Sequence, residues 1–341
     1  MNNATKTILG LIVAILVVWG IYTITQKPGE PTATEPIKIG AILPLTGPYA
    51  TIGEEVKKGI DLAAEDAKKQ GLNFVLFYED DQGMFGVGTV SAANKLIAIN
   101  KINVAITFAI EEAKPIAPIF TKAKIPLVVG WDSNDDISDS SEYIFSNGFS
   151  TEKAGERMAE FAYNILSLRN VALISHIDAW AEIISNAFKN RFTELGGSVV
   201  FDEEYNINTT DYRTAIVKMK QSNPDGIYFP LIPINNAQFI TQAYQLGLRV
   251  PMMTGDGLMR DIVQEVKEAG ENIYFTSMLA DNNDLALASA GYESFEKIAQ
   301  AMTINPENIQ KGLLNIIGES RIANREQKLY QVKNGVPVEI E

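Results

Sequence analysis

The sequence predicts an α/β protein of two doubly wound parallel-sheet lobes, preceded by an N-terminal transmembrane helix. From residue 37 onward, short apolar segments alternate with helical segments, which is typical of parallel βαβ units. The alternation runs through two successive series. A chain of 341 residues is also long enough for two domains at roughly 100–200 residues each.

The first series begins with an apolar run that has no polar face. Ile37–Leu43 reads IKIGAIL, as expected for a strand buried on both sides. Residues 54–70 place apolar side chains on one helical face, and Gly71 follows as a C-terminal cap. The other predicted elements are a strand at 73–78, a helix near 86–100, a strand at 103–108, a helix at 112–124 and a strand at 127–129, which closes the series; the second series starts after 143–146.

The second series has the same pattern and ends in a hairpin. Its predicted elements are helices at 152–168, 180–195, 210–221, 236–246 and 258–269, strands at 171–175, 198–201, 226–230, 251–254 and 273–276, and two further helices at 285–302 and 306–318. The Asn334-Gly335 pair between KLYQV and VPVEI is typical of a hairpin turn. We assign 37–145 and 277–322 to lobe 1, and 146–276 and 323–341 to lobe 2.

The N-terminal segment indicates a membrane anchor. The uncharged run from residue 7 to residue 26 is long and apolar enough to cross a hydrocarbon core of ~30 Å, with Trp19 and Tyr22 near its far end. A cleaved signal peptide is the alternative, although no A-x-A site follows. We therefore predict an anchor at 1–25, a tether at 26–36, and an extracytoplasmic protein that is either anchored to the cytoplasmic membrane or released after cleavage.

Composition excludes several classes of function. The chain has 29 Lys and Arg against 42 Asp and Glu, a formal charge of −13, which disfavours nucleic-acid binding. The absence of cysteine excludes disulfides, thiolate catalysis and iron–sulfur clusters. A single histidine, His176, excludes a multi-histidine metal centre. We predict no cofactor.

The motifs of common enzymes are missing as well. The sequence contains neither G-x-x-x-x-G-K-[ST] nor G-x-S-x-G, so phosphate-loop and serine-hydrolase mechanisms lack their parts. The polar residues of 132–139 are spaced somewhat like a calcium loop, but Ile137 and Tyr143 replace the required glycine and glutamate. We interpret that stretch as a solvated acidic loop and the protein as a non-enzyme.

Several loops carry a family resemblance. The relevant stretches are residues 36–66 (PIKIGAILPLTGPYATIGEEVKKGIDLAAED), 77–83, 117–129, 195–229 and 244–257. They resemble the type I periplasmic solute-binding proteins of the branched-chain amino acid (leucine/isoleucine/valine-binding) ABC transporter family over about residues 36–335. The resemblance implies a periplasmic binding protein-like type I fold, three hinge strands, and closure on a small polar solute that is handed to ABC permease subunits.

The resemblance also implies a set of ligand-binding residues. The matching positions here are Ala109, Trp131, Asp132, Ser133, Asp178, Trp180 and Asp256, together with Thr46 in the P-L-T-G turn. The serines that meet a ligand carboxylate in the family are replaced by Ala109 and Ile110, and Asp132 would repel an anion. Asp256 matches the acid that takes an ammonium group. Trp131 and Trp180 can sandwich a flat apolar or cationic group.

Structural roles remain open for the same residues. Asp178 can act as the N-cap of helix 180–195, the two tryptophans can be packing residues, and Asp256 can be a turn residue. We conclude from the sequence that the chain captures a small polar ligand, an amino acid or related amine, for an ABC transporter. A ligand-sensing ectodomain is one alternative. A degenerate, non-binding paralogue is another, suggested by the lost serines and a short stretch at 277–285.

Overall fold

The computed structural model describes residues 35–83, 88–133, 135–258, 260–277, 286–323, 325 and 327–340. The chain divides into two units, Met1–Pro36 and Ile37–Glu341. The predicted anchor at 1–25 and nearly all of the tether lie outside the described residues. Among the helices that are described, none combines the length and apolar character needed to span a membrane.

The first series of elements forms a sheet with helices between its strands. Its elements are β1 (Ile37–Leu43), α1 (Ala50–Lys69), β2 (Phe74–Asp80), α2 (Thr89–Lys95, continued by a π-helical turn at Leu96–Asn100), β3 (Val104–Thr107), α3 (Ile110–Ala123), β4 (Leu127–Val129), β5 (Asp132–Ser133), α4 (Asp135–Asp139) and β6 (Ile144–Ser146). Five of these strands pair in the order β2-β1-β3-β4-β6, and every pair is parallel.

The second series forms a larger sheet. Its elements are β7 (Phe149–Ser150), α5 (Thr151–Glu160, continued by a π-helical turn at Phe161–Ile165), β8 (Asn170–His176), α6 (Ala179–Glu194), β9 (Ser198–Tyr205), α7 (Arg213–Gln221), β10 (Gly226–Tyr228), α8 (Pro233–Gln245), β11 (Met252–Thr254), α9 (Arg260–Val266, followed by a 3-10 turn at Lys267–Gly270) and β12 (Ile273–Ser277). The final elements are α10 (Ala286–Ile304), α11 (Ile309–Ile317), β13 (Lys328–Lys333) and β14 (Val336–Glu339).

The larger sheet is parallel except at one edge. Its order is β14-β13-β12-β11-β10-β8-β9, with β13 antiparallel to both β12 and β14. The Asn334-Gly335 turn of that hairpin has positive φ at both residues, as the sequence predicts. The described part of the chain thus forms two separate large sheets, and the predicted α/β fold with parallel sheets is confirmed.

Two of the segments that connect the sheets run side by side. Ser146 forms a parallel bridge to Ile322, and Phe149 forms one to Arg325. Residues 278–285, which include most of the stretch that the sequence suggested was shortened, lie outside the described residues. The assignment of the segments to lobes 1 and 2 stays a prediction, and we use "lobe 1" and "lobe 2" below for the parts that carry the smaller and the larger sheet.

Helix α10 packs against α1 on the first sheet, although their sequence positions are far apart. Gly59 of α1 and Gly291 of α10 make this approach possible. A Cβ atom on Gly59 would lie 1.7 Å from the carbonyl oxygen of Ala288, and one on Gly291 would lie 2.1 Å from that of Val56. The two helices therefore meet backbone to backbone.

Most predicted elements are found, with shifted ends. Helix α1 begins at Ala50 instead of residue 54, and β9 continues to Tyr205 instead of residue 201. The prediction of a solvated acidic loop at 132–139 is wrong, because Asp135–Asp139 form α4 and both Asp132 and Ser138 are buried. Asp132 is only 2% exposed and belongs to β5, which pairs with β7.

Candidate functional site

A cavity of about 80 Å³ lies where loops from the two sheets meet. Its walls come from the loops that follow β1, β3 and β4 of the first sheet and β8, β10 and β11 of the second. The lining residues are Tyr49, Ile52, Phe108, Ala109, Glu111, Trp131, Asp132, Asp178, Trp180, Ile232, Pro233, Asp256 and Gly257. This is the edge where open α/β sheets bind ligands, because the carboxyl ends of parallel strands point there.

Asp256 joins the two sides of the cavity. Its Oδ2 accepts a hydrogen bond of 2.6 Å from Nε1 of Trp131, and its Oδ1 accepts one of 3.2 Å from Nε1 of Trp180. The carboxylate belongs to the loop after β11, and Trp131 belongs to the loop after β4. The two indoles therefore meet at Asp256 through their N–H edges, instead of forming the sandwich around a guest that the sequence suggested.

Packing fixes the orientation of Trp131. Its ring lies 5.5 Å from that of Phe108 in a tilted arrangement and 6.3 Å from that of Phe149 in an edge-on arrangement, measured between centroids. Its backbone N–H donates to the carbonyl oxygen of Phe108 at 2.8 Å. The aromatic contacts hold the indole N–H toward the second sheet.

The N-terminus of α3 is covered by acidic side chains of the protein itself. Oδ1 of Asp132 accepts a hydrogen bond of 2.8 Å from the backbone N–H of Ile110, and Oε2 of Glu112 accepts one of 2.8 Å from that of Ala109. Unpaired N–H groups and the helix dipole favour negative charge at this position. The acids therefore complete the helix end that would otherwise attract an anion.

At the N-terminus of α6, acidic side chains from both lobes likewise accept hydrogen bonds from backbone N–H groups. Oδ1 of Asp178 accepts a hydrogen bond of 2.7 Å from the backbone N–H of Ala181, which confirms that Asp178 is the N-cap. Oε1 of Glu111, which belongs to α3, accepts one of 2.7 Å from the backbone N–H of Trp180. The second oxygens of these two carboxyl groups, Oε2 of Glu111 and Oδ2 of Asp178, are buried and have no hydrogen-bond partner among the described residues.

Burial raises the pKa of every acid in the cavity wall. Loss of solvation and the nearby charge of Asp256 raise the pKa of Asp132 to about 8. Loss of solvation raises the pKa of Asp256 to about 6, although the indole N–H groups favour its ionised form. The pKa of Glu111 is raised well above its ordinary value by burial and by the charges of Asp178 and Asp132, and burial likewise raises the pKa of Asp178.

The structure brings most of the predicted site residues together. Six of them line the cavity: Ala109, Trp131, Asp132, Asp178, Trp180 and Asp256. Ser133 follows Asp132 in β5, and its side chain is not among those described. Thr46 is exposed, lies outside the cavity wall, and donates a hydrogen bond of 2.5 Å from Oγ1 to Asp80.

Sequence reasoning missed Glu111 and Tyr49, which also line the cavity. Tyr49 follows β1 and directly precedes α1, and Glu111 lies in the first turn of α3, after β3. Nothing in the sequence indicated that Glu111 reaches the second lobe, because its partner Trp180 is 69 residues away.

The single histidine has a structural role in the second lobe. His176 is 1% exposed, and its Nδ1 accepts a hydrogen bond of 3.2 Å from the backbone N–H of Ile232. Its Nε2 lies 3.1 Å from the hydroxyl oxygen of Tyr212. Burial lowers the pKa of His176 to about 4, so the ring is neutral at pH 7. Across the described residues, no group of three or more His, Cys, Asp or Glu could hold a metal ion.

Two sheets that converge on a cleft at their strand ends are the architecture of a two-lobed α/β binding protein. The model of the family described as "Periplasmic binding protein" matches residues 36–313. The chain therefore belongs to the periplasmic binding protein family, among the type I members of the branched-chain amino acid ABC transporter group.

Individual relatives agree with this assignment. The Leu/Ile/Val-binding protein homolog 3 of Brucella melitensis is 26% identical over 227 residues, covering 65% of this chain and 61% of that protein. The chain thus spans less than two thirds of that relative's length. The crystal structure of a leucine-binding protein, LivK, from Thermotoga maritima superposes with a TM-score of 0.82 at 25% identity, covering 89% of this chain and 98% of that one.

A third protein shows the same fold with a different ligand. A solute-binding protein of an ABC transporter from R. palustris, crystallised with 4-hydroxybenzoate, superposes with a TM-score of 0.80 at 22% identity. The match covers 90% of this chain and 96% of that one. Proteins that share this fold therefore bind chemically different small molecules.

Proposed function

We propose that this chain is an extracytoplasmic solute-binding protein that captures a small polar ligand, an amino acid or a related amine, between its two lobes for an ABC transporter. Its partners are then the ligand and ABC permease subunits, and the apolar segment at 7–26 tethers it to the cytoplasmic membrane. Binding works by population shift, because a ligand that touches both lobes stabilises the closed arrangement by its higher affinity for it.

The observation that carries the proposal is the pair of hydrogen bonds across the cavity. Trp131 of lobe 1 donates to Asp256 of lobe 2, and the backbone N–H of Trp180 of lobe 2 donates to Glu111 of lobe 1. Both lobes thus present polar groups to one small buried space. Family membership and the location at the strand ends support the same interpretation.

One observation favours a second candidate, a degenerate paralogue that binds nothing. The cavity has only about 80 Å³, and Asp256 already uses both carboxylate oxygens to accept indole N–H groups. A protein that had lost its ligand would be expected to fill its cleft in this way. The two candidates make opposite predictions for a ligand screen.

A thermal-shift screen against amino acids, amides, amines and sugars tests the proposal. We expect at least one compound to raise the Tm by several degrees, because a ligand at 100 times its Kd adds about 2.7 kcal/mol of stability. The Asp256→Ala variant should lose that gain, whereas Glu307→Ala, at an exposed position, should keep it. A broad library without a single hit would support the paralogue instead.

A transport protein and a ligand sensor differ in the membrane protein with which they interact. A permease gene beside the gene for this chain supports delivery to a transporter, and a gene for a signalling protein supports a ligand-sensing ectodomain. Reconstitution with that membrane partner then decides between them. Ligand-dependent stimulation of ATP hydrolysis by a permease complex is the result that the proposal expects.

A further inference from the structure

We propose that the cavity selects an organic cation without a carboxylate group, and that Glu111 and Asp178, one from each lobe, receive its positive charge. This inference rests on the proposed function and narrows the class of ligand. It differs from the leucine and the 4-hydroxybenzoate named for the structural relatives, because four acids and, among the described residues, no base line the cavity of this chain.

The first argument is the sign of the charges around the cavity. Four of its lining residues are acids, Glu111, Asp132, Asp178 and Asp256. Among the described residues, no Lys, Arg or His lines it. Burial reduces screening by solvent, so each of these carboxyl groups, once it is ionised, repels an anionic ligand and attracts a cation. A ligand carboxylate would need a cation or several donors to be stable there.

The second argument is that the donors which could hold an anion are already used. Asp132 accepts the backbone N–H of Ile110, and Asp178 accepts that of Ala181. Glu111 accepts the backbone N–H of Trp180. Both helix N-termini at the cavity, those of α3 and α6, are therefore satisfied by acids of the chain.

The third argument is the location of the unused acceptors. Oε2 of Glu111 and Oδ2 of Asp178 are buried, and neither receives an N–H or hydroxyl hydrogen bond from the described residues. Asp256, in contrast, has both oxygens paired with indole N–H groups. Burial raises the pKa of both Glu111 and Asp178, so this pair of acids keeps a proton to a higher pH than solvated acids would. A cation that enters between them replaces this proton.

The remaining wall suits an organic cation better than a metal ion. Tyr49, Phe108, Trp131 and Trp180 supply aromatic surface. Aromatic faces stabilise an ammonium group by about 0.5–2 kcal/mol. The described carboxylates do not come together as a metal-ligand set. The small volume limits the charged group to a compact one, so alkylamines and quaternary amines are suitable probes.

Proton displacement gives the site a defined pH dependence. The ionisable groups that face the pair are Tyr49 at the start of α1, Asp132 in β5, Glu112 beside Glu111 in α3, and Asp256 after β11. All of them lose protons as the pH rises, and none carries positive charge. Cation affinity should therefore increase with pH, and the affinity of a carboxylate ligand should decrease.

Isothermal titration calorimetry on the protein tests the inference directly. The cation probes are ethylamine, putrescine, choline and phenethylamine, and the carboxylate probes are leucine and 4-hydroxybenzoate. We expect one or more cations to bind, with an affinity that rises from pH 6 to pH 8 by up to tenfold per unit for each proton displaced. Titrations in two buffers of different ionisation enthalpy should show a proton released on binding.

Two isosteric variants test whether Glu111 and Asp178 bind the positive charge of the ligand. Glu111→Gln keeps an acceptor for the N–H of Trp180 and imitates the protonated carboxyl group, and Asp178→Asn keeps the N-cap. Each should weaken cation binding at least tenfold and reduce proton release. Glu182→Gln removes an exposed acid one turn into α6 and serves as the control that should bind normally.

The outcomes separate this inference from the proposed function. Binding of leucine or 4-hydroxybenzoate without any cation overturns the inference and leaves a solute-binding protein. Cation binding that is unchanged in both isosteric variants also overturns it. If no cation of the panel binds the protein, the inference fails, and the proposed function then depends on the broader library screen.

Discussion

At the scale of single residues, Asp256 decides how the cavity is closed. Its carboxylate is 8% exposed and has no basic partner among the bonds described, so two indole N–H groups stabilise its charge. Neutral donors compensate a buried carboxylate less than a cation would, and the pKa stays raised, at about 6. Asp256 is therefore both a link between the lobes and a titratable group near neutral pH.

Trp131→Phe tests that link. The phenyl ring keeps the packing on Phe108 and Phe149 but removes the donor to Asp256. We expect a loss of about 1–3 kcal/mol in the free energy of unfolding at pH 8, because a buried ionised oxygen loses its partner. The pKa of Asp256 should rise further. Urea denaturation and a pH titration measure both effects.

A double-mutant cycle controls this experiment. Combining Trp131→Phe with Asp256→Asn should give an interaction energy of about 0.5–3 kcal/mol. Tyr244→Phe, which removes a polar atom from a partly exposed aromatic residue, should be close to neutral. An interaction energy near zero would mean that the Trp131 bond contributes nothing to stability.

At the scale of elements, the N-termini of α3 and α6 both lie at the cavity. Acidic side chains accept hydrogen bonds from the backbone N–H groups at each of these helix ends. Helix α6 receives Asp178 from its own chain segment and Glu111 from α3 of the other lobe. The bond from Trp180 to Glu111 makes the closed arrangement part of the α6 cap. Opening the lobes would leave that N–H to water, so the two helix ends couple closure to local hydrogen bonding.

Helix packing supplies a second prediction at this scale. Alanine usually stabilises a helix relative to glycine by roughly 0.5–1 kcal/mol. Gly59→Ala should instead destabilise the protein by about 1–3 kcal/mol, because the new Cβ would lie 1.7 Å from the carbonyl oxygen of Ala288 and force α1 and α10 apart. Thermal denaturation of the variant provides the measurement.

Lys58→Ala is the matched control, since Lys58 is exposed on the same turn of α1. It should change the Tm very little. A Gly59→Ala variant that is as stable as this control would show that the helices can separate without cost.

At the scale of the whole molecule, the buried acids make stability depend on pH in an unusual direction. In the folded state the pKa of Asp132 is about 8, against an ordinary value of 3.8. The folded chain therefore keeps a proton that the unfolded chain has lost, and stability decreases as the pH rises through the folded pKa. His176 has the opposite effect on stability, because its pKa is lowered to about 4. Its contribution changes only below its ordinary pKa of 6.5 and is constant above that pH.

The free energy of unfolding should therefore fall between pH 7 and pH 8 and level off toward pH 9. The titration of Asp132 changes the free energy of unfolding by at most about 1.4 kcal/mol per pH unit. Asp132→Asn keeps an acceptor for the N–H of Ile110 without the charge, so it should flatten the curve and stabilise the protein at pH 9. Glu307→Gln, at an exposed position, should leave the curve unchanged. A wild-type stability that is constant or rising over this range would contradict the prediction.

The sequence by itself determined the α/β class, the order of the elements and the loops that form the cavity. Those properties depend on local patterns, such as the apolar run Ile37–Leu43, the Asn334-Gly335 turn and the loops that follow each strand. Asp132, Trp180 and Asp256 were assigned to the ligand site through the family resemblance.

Only the tertiary structure decided what these residues contact. Trp131 and Asp256 are 125 residues apart, and Glu111 and Trp180 are 69 apart, so no periodicity links them. The burial of Asp132, assigned from the sequence to a solvated loop, depends on the pairing of β5 with β7. Charge, donor supply and pKa in the cavity depend on distances between the lobes, and a linear pattern does not contain them.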